Sequence, residues 1–496
     1  MGLNGLDVSV IVAYLALVTA FGMRFRRQAS TLKGYFLAEK TIPWWAISLS
    51  IVAAETSTLT IISVPGMAYE RDFRFLQLVI GYLLGRVIIS VVLIPPYFRG
   101  DLVTAYQLIE RRFGPQLRGL TAGLFLMTRA AAEGVRVFAV AIVVGIALGN
   151  VLGGMSDAGR DVAAIAMVTA LTLIYTWKGG MAAVIWTDVV QLAVYVSGTL
   201  VGFFTILHLV PGGWQTVRGL AAEAGKFRVF DFSWNFYATY TFWSGVIGGA
   251  FLTTASHGTD QLIVQRLLAS RGERQAKLAL LSSGVMVLFQ FSLFLLIGAM
   301  LYAFYRIFPL GTAFTRTDTI FPIFVVTRMP HGISGLLIAA ILAAAMANLS
   351  AALNSLSSSM IVDFYSRINP KASEARRVQL SRIATVGWAL ALFALALVAR
   401  RGGRVLEAGL SIASVAYGSL LGVFLLGVLT RRASEAGAMV GMLVGFALNV
   451  YLWQCTRVPF TWYVALGSVT TFAIGYGASF VLPRTARPAA ENQLIH

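Results

Sequence analysis

Glu55 lies in the middle of an apolar stretch from Trp44 to Tyr69, among Ser50, Thr56, Ser57, Thr58, Thr60 and Ser63. A carboxylate at membrane depth costs about 2.5–3.5 kcal/mol to insert, so it is kept there for a task, and the surrounding hydroxyls make that task binding. A second polar run, Asn348, Ser350, Asn354, Ser355, Ser357, Ser358 and Ser359, ends in Asp363. Neutral hydroxyl and amide oxygens among Ala and Leu can replace the water shell of a small hard cation without holding it too tightly for release. Hydrogen bonding between helices is the plainer use of such side chains. Beside Glu55 the ion reading is the better one.

Arg129, Glu133 and Arg136 are spaced to share one helix face, and Arg86 falls in another apolar run. Three deep arginines (86, 129, 136) against two carboxylates (Glu55, Glu133) leave a surplus of one positive charge, which an anionic solute would fill. The alternative is that Arg86 or Arg129 reaches an interface and the others pair internally. Asp188 follows a Gly179-Gly180 turn between Trp177 and Trp186. There it either caps a helix start or belongs to an ion path or gate. Asp260-Gln261 and Gln265-Arg266 read as gating or structural residues at a cytoplasmic edge.

These groups need an apolar frame. Of 496 residues 58% are hydrophobic and 12% charged, and the mean hydropathy is +0.77, whereas soluble chains carry about 25% charged residues. An all-α integral membrane protein follows. The net charge of +18 does not mark a nucleic-acid binder, because the arginines lie in short loops between apolar runs. One cysteine, Cys455, and four scattered histidines exclude a thiolate cluster and make zinc chemistry a poor fit. No cofactor is expected. Neither a cleavable leader nor a lipidation motif is legible.

Apolar windows of about 20 residues fall near 6–23, 41–69, 75–97, 118–149, 161–176, 183–209, 237–257, 276–306, 333–362, 382–399, 405–429, 434–453 and 461–482, roughly thirteen spans. Residues 1–483 form one transmembrane domain, and the tail 484–496 reads as disordered. The basic clusters after the first, third, seventh and ninth spans share one side, which places the N-terminus outside and the C-terminus in the cytoplasm. The second span, with Glu55, and the seventh, with Gly245, Gly248 and Gly249, both carry marks of interruption. Paired interruptions five spans apart are the signature of an inverted-repeat transporter; close helix packing is the other use of the glycines.

The residues at this point resemble the sodium/solute symporter family, with its sodium/proline, sodium/glucose and sodium/sialic acid branches. The matching pieces are Ser50 to Ser57, Gly179-Gly180 with Trp186 to Gln191, Asp260-Gln261 with Val264-Gln265-Arg266, and Leu353-Asn354-Ser355 with Asp363-Phe364-Tyr365. They occur in family order across about residues 5–482. The resemblance implies the leucine-transporter-like fold of five plus five inverted helices, with one helix before (6–23) and two after (434–482), the repeats covering about 41–209 and 237–429.

It also implies a sodium site from the carbonyls of Ala53, Thr56 and Ala344 and the side chains at 347 and 348. The chain departs there: Ala347 has no side-chain oxygen, so Asn348, Thr56 or Ser350 would complete the shell. A second sodium site of the sialic acid branch would fall on Ser350 and Ala351. The implied solute site holds Ser57, Thr60 and Arg136, with Gln77 and Tyr82 as candidates on the third helix; Arg136 would hold a carboxylate, and Glu55 stands beside these groups. The expected activity is sodium-driven uptake of a small polar organic solute by alternating access across the cell membrane, with sodium, solute and lipid as partners. Proton coupling through Glu55 is the rival. A non-transporting solute sensor is a more distant one, and an enzyme finds no acid/base or nucleophile constellation.

Overall fold

A computed structural model describes residues 3–25, 31–147, 154–309, 314, 317–399 and 405–482. Among them the chain is helical, with one isolated bridge between Ile42 and Ser270 and no strand. Nine of the described helices are long and apolar enough to cross a membrane, ten when a bent pair counts as one span. The expected tail from 484 onward lies outside the described residues.

The first span is α1 (Gly5–Met23). The bent pair is α2 (Trp44–Glu55) and α3 (Thr58–Glu70), whose axes differ by 62°. Next comes α4 (Leu76–Phe98), then α5 (Tyr106–Arg112), a short helix outside the apolar runs. Helix α6 (Pro115–Ala147) has 33 residues, about 50 Å, and carries Arg118, Arg129, Glu133 and Arg136 at the expected fourth span. The fifth and sixth spans form one element, α7 (Asp157–Leu209), broken by Gly180 at φ 57, ψ −151. Only glycine takes that conformation freely, and a Cβ there would lie 2.5 Å from the Tyr35 carbonyl oxygen. The Gly-Gly turn is thus where the sequence places it. Asp188, however, sits two turns beyond Gly180 inside the helix, so it is not a capping charge.

The seventh span, α8 (Phe242–Gly258), is continuous through its glycines. Gly245 and Gly249 face α4 so closely that a Cβ on Gly245 would lie 2.8 Å from the Gln77 Cβ, and one on Gly81 would lie 2.5 Å from the Val246 carbonyl oxygen. Packing, not unwinding, is their use. The break comes later, at Thr259-Asp260, before α9 (Gln261–Leu268).

Helix α10 (Glu273–Ile307) lies against α3, where the Pro65 backbone meets Gly298. Helix α11 (Ile333–Ser359) occupies the centre. Its apolar window is 94% buried, against 28% for α12 (Glu374–Ala399). A helix faced all round with Ala, Ser and Leu has no side suited only to lipid and lets neighbours approach closely. Helices α13 (Val405–Leu429), α14 (Glu435–Cys455) and α15 (Tyr463–Val481) complete the bundle.

Candidate functional site

The second span breaks at Thr56 (ψ 97) and Ser57 (ψ 169), both extended. The Thr56 amide still donates to Val52 O at 2.9 Å, but the break removes the helical amides that would reach Ala53, Ala54 and Glu55. Freed carbonyls of this kind are cation ligands wherever irregular backbone is sheltered by protein. The break faces α11: the Thr58 hydroxyl donates to Ile341 O at 3.3 Å, and Ser57, Thr58, Arg136, Ala345 and Asn348 line one void of about 10 Å³. Ala344 and Ala347 lie buried on the same helix.

The side chains expected as sodium ligands have other partners as well. Thr56 donates to Gln290 Oε1 at 3.0 Å and Ser350 to Ala347 O at 3.0 Å, which leaves each hydroxyl oxygen its lone pairs. The Asn348 amide is more committed: it donates to Glu133 Oε1 at 2.7 Å and accepts from Arg136 at 3.3 Å, with the amide oriented by that network.

Glu55 is paired with Arg86 and lies 3.4 Å from His257 Nε2, while Arg86 also reaches Ser283. A second cluster joins α6 to the α8–α9 break and α13. Arg129 meets Glu133 at 3.2 Å and Asp260 at 3.3 Å, Tyr417 donates to Asp260 at 2.6 Å, and Arg136 lies 3.6 Å from Glu133. Asp260 is almost wholly buried, not at an aqueous edge. It supplies the anion that the count of three against two lacked, so the surplus positive charge does not exist. Arg136 nonetheless keeps one side open, 20% exposed, with both contacts long.

These groups surround a cavity of about 110 Å³, lined on its polar side by Glu55, Ser57, Thr60, Tyr82, Arg136 and His257 and closed by Phe75 and Phe291. Phe75 stacks on Phe291 at 5.3 Å and meets Tyr240 edge-on. Ligand pockets commonly measure ~300–1,000 Å³, so a solute of more than a few heavy atoms needs these walls to part. Gln77 does not line the cavity. Its amide donates to Arg74 O and Tyr240 O and accepts from the Asp231 amide, so it ties α4 to the loop before α8.

Asp188 is tied elsewhere. It meets Arg266 at 2.9 Å with both side chains fully buried, and Ser50 bridges them. Its other oxygen, Oδ1, has no hydrogen-bond partner among the described residues. Sequence reading missed His257, Phe291 and Tyr417 as cavity residues. The histidine stood alone in the sequence, and the two aromatics sit in ordinary apolar runs, so none carried a signal.

A bundle of apolar helices, with one broken at mid-length around a buried polar cavity, defines a membrane transporter of solutes. The model of the sodium:solute symporter family matches residues 35–445, and the chain belongs to that family. It is 30% identical to the sodium/sialic acid symporter SiaT of Proteus mirabilis (strain HI4320) over 479 residues, 95% of this chain and 94% of that one. It is 27% identical to the sodium/iodide cotransporter of Homo sapiens over 455 residues, 90% of this chain and 69% of that one. A Na+-coupled sialic acid symporter solved in a substrate-bound outward-open state shares the fold at TM-score 0.87 and 27% identity, covering 97% of this chain and 99% of that one. The protein is a multi-pass, sodium-coupled solute transporter; its relatives are transporters rather than enzymes.

Proposed function

We propose that this chain couples inward sodium flow to uptake of a small polar organic solute by alternating access. The observation that carries the reading is the extended Thr56-Ser57 break facing α11. Sodium binds to the carbonyls of Ala53, Thr56 and Ala344 with the hydroxyls of Thr56 and Ser350, and Asn348 joins when it turns from Arg136. Binding holds α2 and α3 against α11 and so completes the solute cavity. A cation entering a negative interior gains about 2.3 kcal/mol per charge per 100 mV, which moves the solute uphill.

The solute takes its polar contacts from Ser57, Thr60 and Tyr82, and an anionic group on it meets the open side of Arg136. Asp188, held by Arg266, is part of the ion path. Sialic acid is the first solute to test, because relatives that match over nearly the whole chain are named for it. The frame of this reading is thirteen spans arranged five plus five, with the N-terminus outside and the chain in the cell membrane. In support, helices α6, the first part of α7, and α8 stand where the fourth, fifth and seventh spans are expected.

The test is uptake into proteoliposomes. A sodium gradient drives accumulation and a proton gradient alone does not; the reverse result moves the coupling to Glu55. In the same assay Arg136→Gln cripples uptake of a carboxylate solute, and normal uptake by that variant removes the anionic contact from the proposal.

A further inference from the structure

A groove of about 700 Å³ opens on the flank of the bundle, where the ends of α4 and α13 meet the short helix α5. Its walls are apolar, including Val91, Pro95, Leu108, Phe424 and Leu429, and its rim carries Arg99, Arg111 and Arg112. No carboxylate lines it. Arg112 is spent on the fold: its guanidinium donates to the carbonyls of Gly427, Thr430 and Ala433 and so caps the end of α13. The other two are not. Arg111 lies over Gly100 with one 3.3 Å bond to Asp101 O, and no hydrogen bond or ion pair of the Arg99 side chain occurs among the described residues. The nearby acids are engaged elsewhere, Asp101 by Lys33 and Lys40, and Glu110 by Arg118.

The groove continues the surface that α4 turns to lipid. Leu84, Val87, Ile88 and Val91 are exposed at helical spacing, Val91 by 70%, and this stripe runs along α4 directly into the apolar wall. A hydrocarbon chain on the stripe would carry its headgroup to the guanidiniums of Arg99 and Arg111.

We propose that this groove is a binding site for an anionic phospholipid, with the phosphate held by Arg99 and Arg111 and one acyl chain along Val87 and Val91. Arginine pairs with phosphate through parallel N–H donors, and each basic residue near a membrane surface strengthens anionic lipid binding about fivefold. Occupancy would pin the loop between α4 and α5 to the end of α13. That loop also meets the α8–α9 break, because the Ala105 amide donates to Gln261 at 2.8 Å.

The test is native mass spectrometry of the full chain in neutral detergent, with phosphatidylglycerol or phosphatidylcholine of matched chains added. The expected result is selective retention of phosphatidylglycerol. Arg99→Ala and Arg111→Ala each reduce it about fivefold, and the double variant about 25-fold. Arg99→Lys retains most of it. Arg71→Ala, in the turn between α3 and α4, leaves it unchanged. Val91→Trp fills the apolar slot without touching charge or core, and it also lowers retention. Equal retention of phosphatidylcholine, an unchanged double variant, or displacement by millimolar inorganic phosphate as effective as by lipid would each overturn the assignment; the last would mark a free-anion site.

Discussion

Arg266 and Asp188 meet at 2.9 Å where neither side chain is reached by solvent. Ser50 donates to Asp188 at 2.5 Å and accepts from Arg266 at 2.8 Å, so the triad clamps the first half of the broken span to α7 and α9. Removing one partner of such a pair strands a buried charge and costs about 3–5 kcal/mol. Arg266→Met and Asp188→Leu each lower the unfolding midpoint sharply, and the double variant recovers part of the loss. Thermal unfolding in detergent measures both effects, and simple additivity in the double variant would show that the two charges do not act as a pair.

Ser350 serves the proposed ion site alone, whereas Asn348 touches both the ion site and the solute cavity. The Ser350 hydroxyl bonds only within its own helix, so Ser350→Ala raises the half-saturating sodium concentration, by about tenfold if one ligand is lost from the shell. Asn348 also fixes Glu133 and Arg136, so Asn348→Ala raises the solute KM as well as the half-saturating sodium concentration. Uptake titrated against sodium and against solute distinguishes the two; a Ser350→Ala effect on the solute KM as large as its effect on sodium would merge the sites.

Gly81 and Gly249 let α4 and α8 touch backbone to backbone. A Cβ on Gly81 would lie 2.5 Å from Val246 O and 2.7 Å from Gly245 O, and neither atom can move without shifting a helix. Gly81→Ala therefore destabilises by about 1–3 kcal/mol, whereas Gly387→Ala, which meets nothing within 4 Å, is neutral or slightly stabilising. Paired melting curves read the difference.

Asp231, outside the spans, links the loop before α8 to Arg74 at 2.9 Å. Hydrogen bonds from Ser233, and then the Arg74 guanidinium, hold its carboxyl below the usual carboxylate range. The stabilisation from a depressed pKa is fully present above the ordinary value of about 3.9 and is lost as pH falls through the lower folded value. The loop thus stays docked at pH 5 to 7 and loosens below about pH 4. Protease cutting within residues 210–236, followed against pH, shows this onset, and Asp231→Asn is cut more readily at neutral pH with a weakened acid response.

The sequence by itself determined that the protein is a membrane bundle of apolar helices, that one of them is broken beside Glu55, and that Gly179-Gly180 turns the chain. Hydropathy and local backbone preference act over a few residues, so they can be read along a line. Ser57, Thr60, Tyr82 and Arg136 were legible as cavity residues through the family pattern, which already encodes a shared three-dimensional arrangement. Only the tertiary structure decided which charges meet: that Asp260 neutralises Arg129, that Asp188 serves Arg266, that Gln77 turns to an outer loop, and that the α8 glycines pack rather than unwind. Each of these depends on contacts between residues dozens to more than a hundred positions apart. In a low-dielectric interior the partner a charge finds sets its role, and one sequence position does not name that partner.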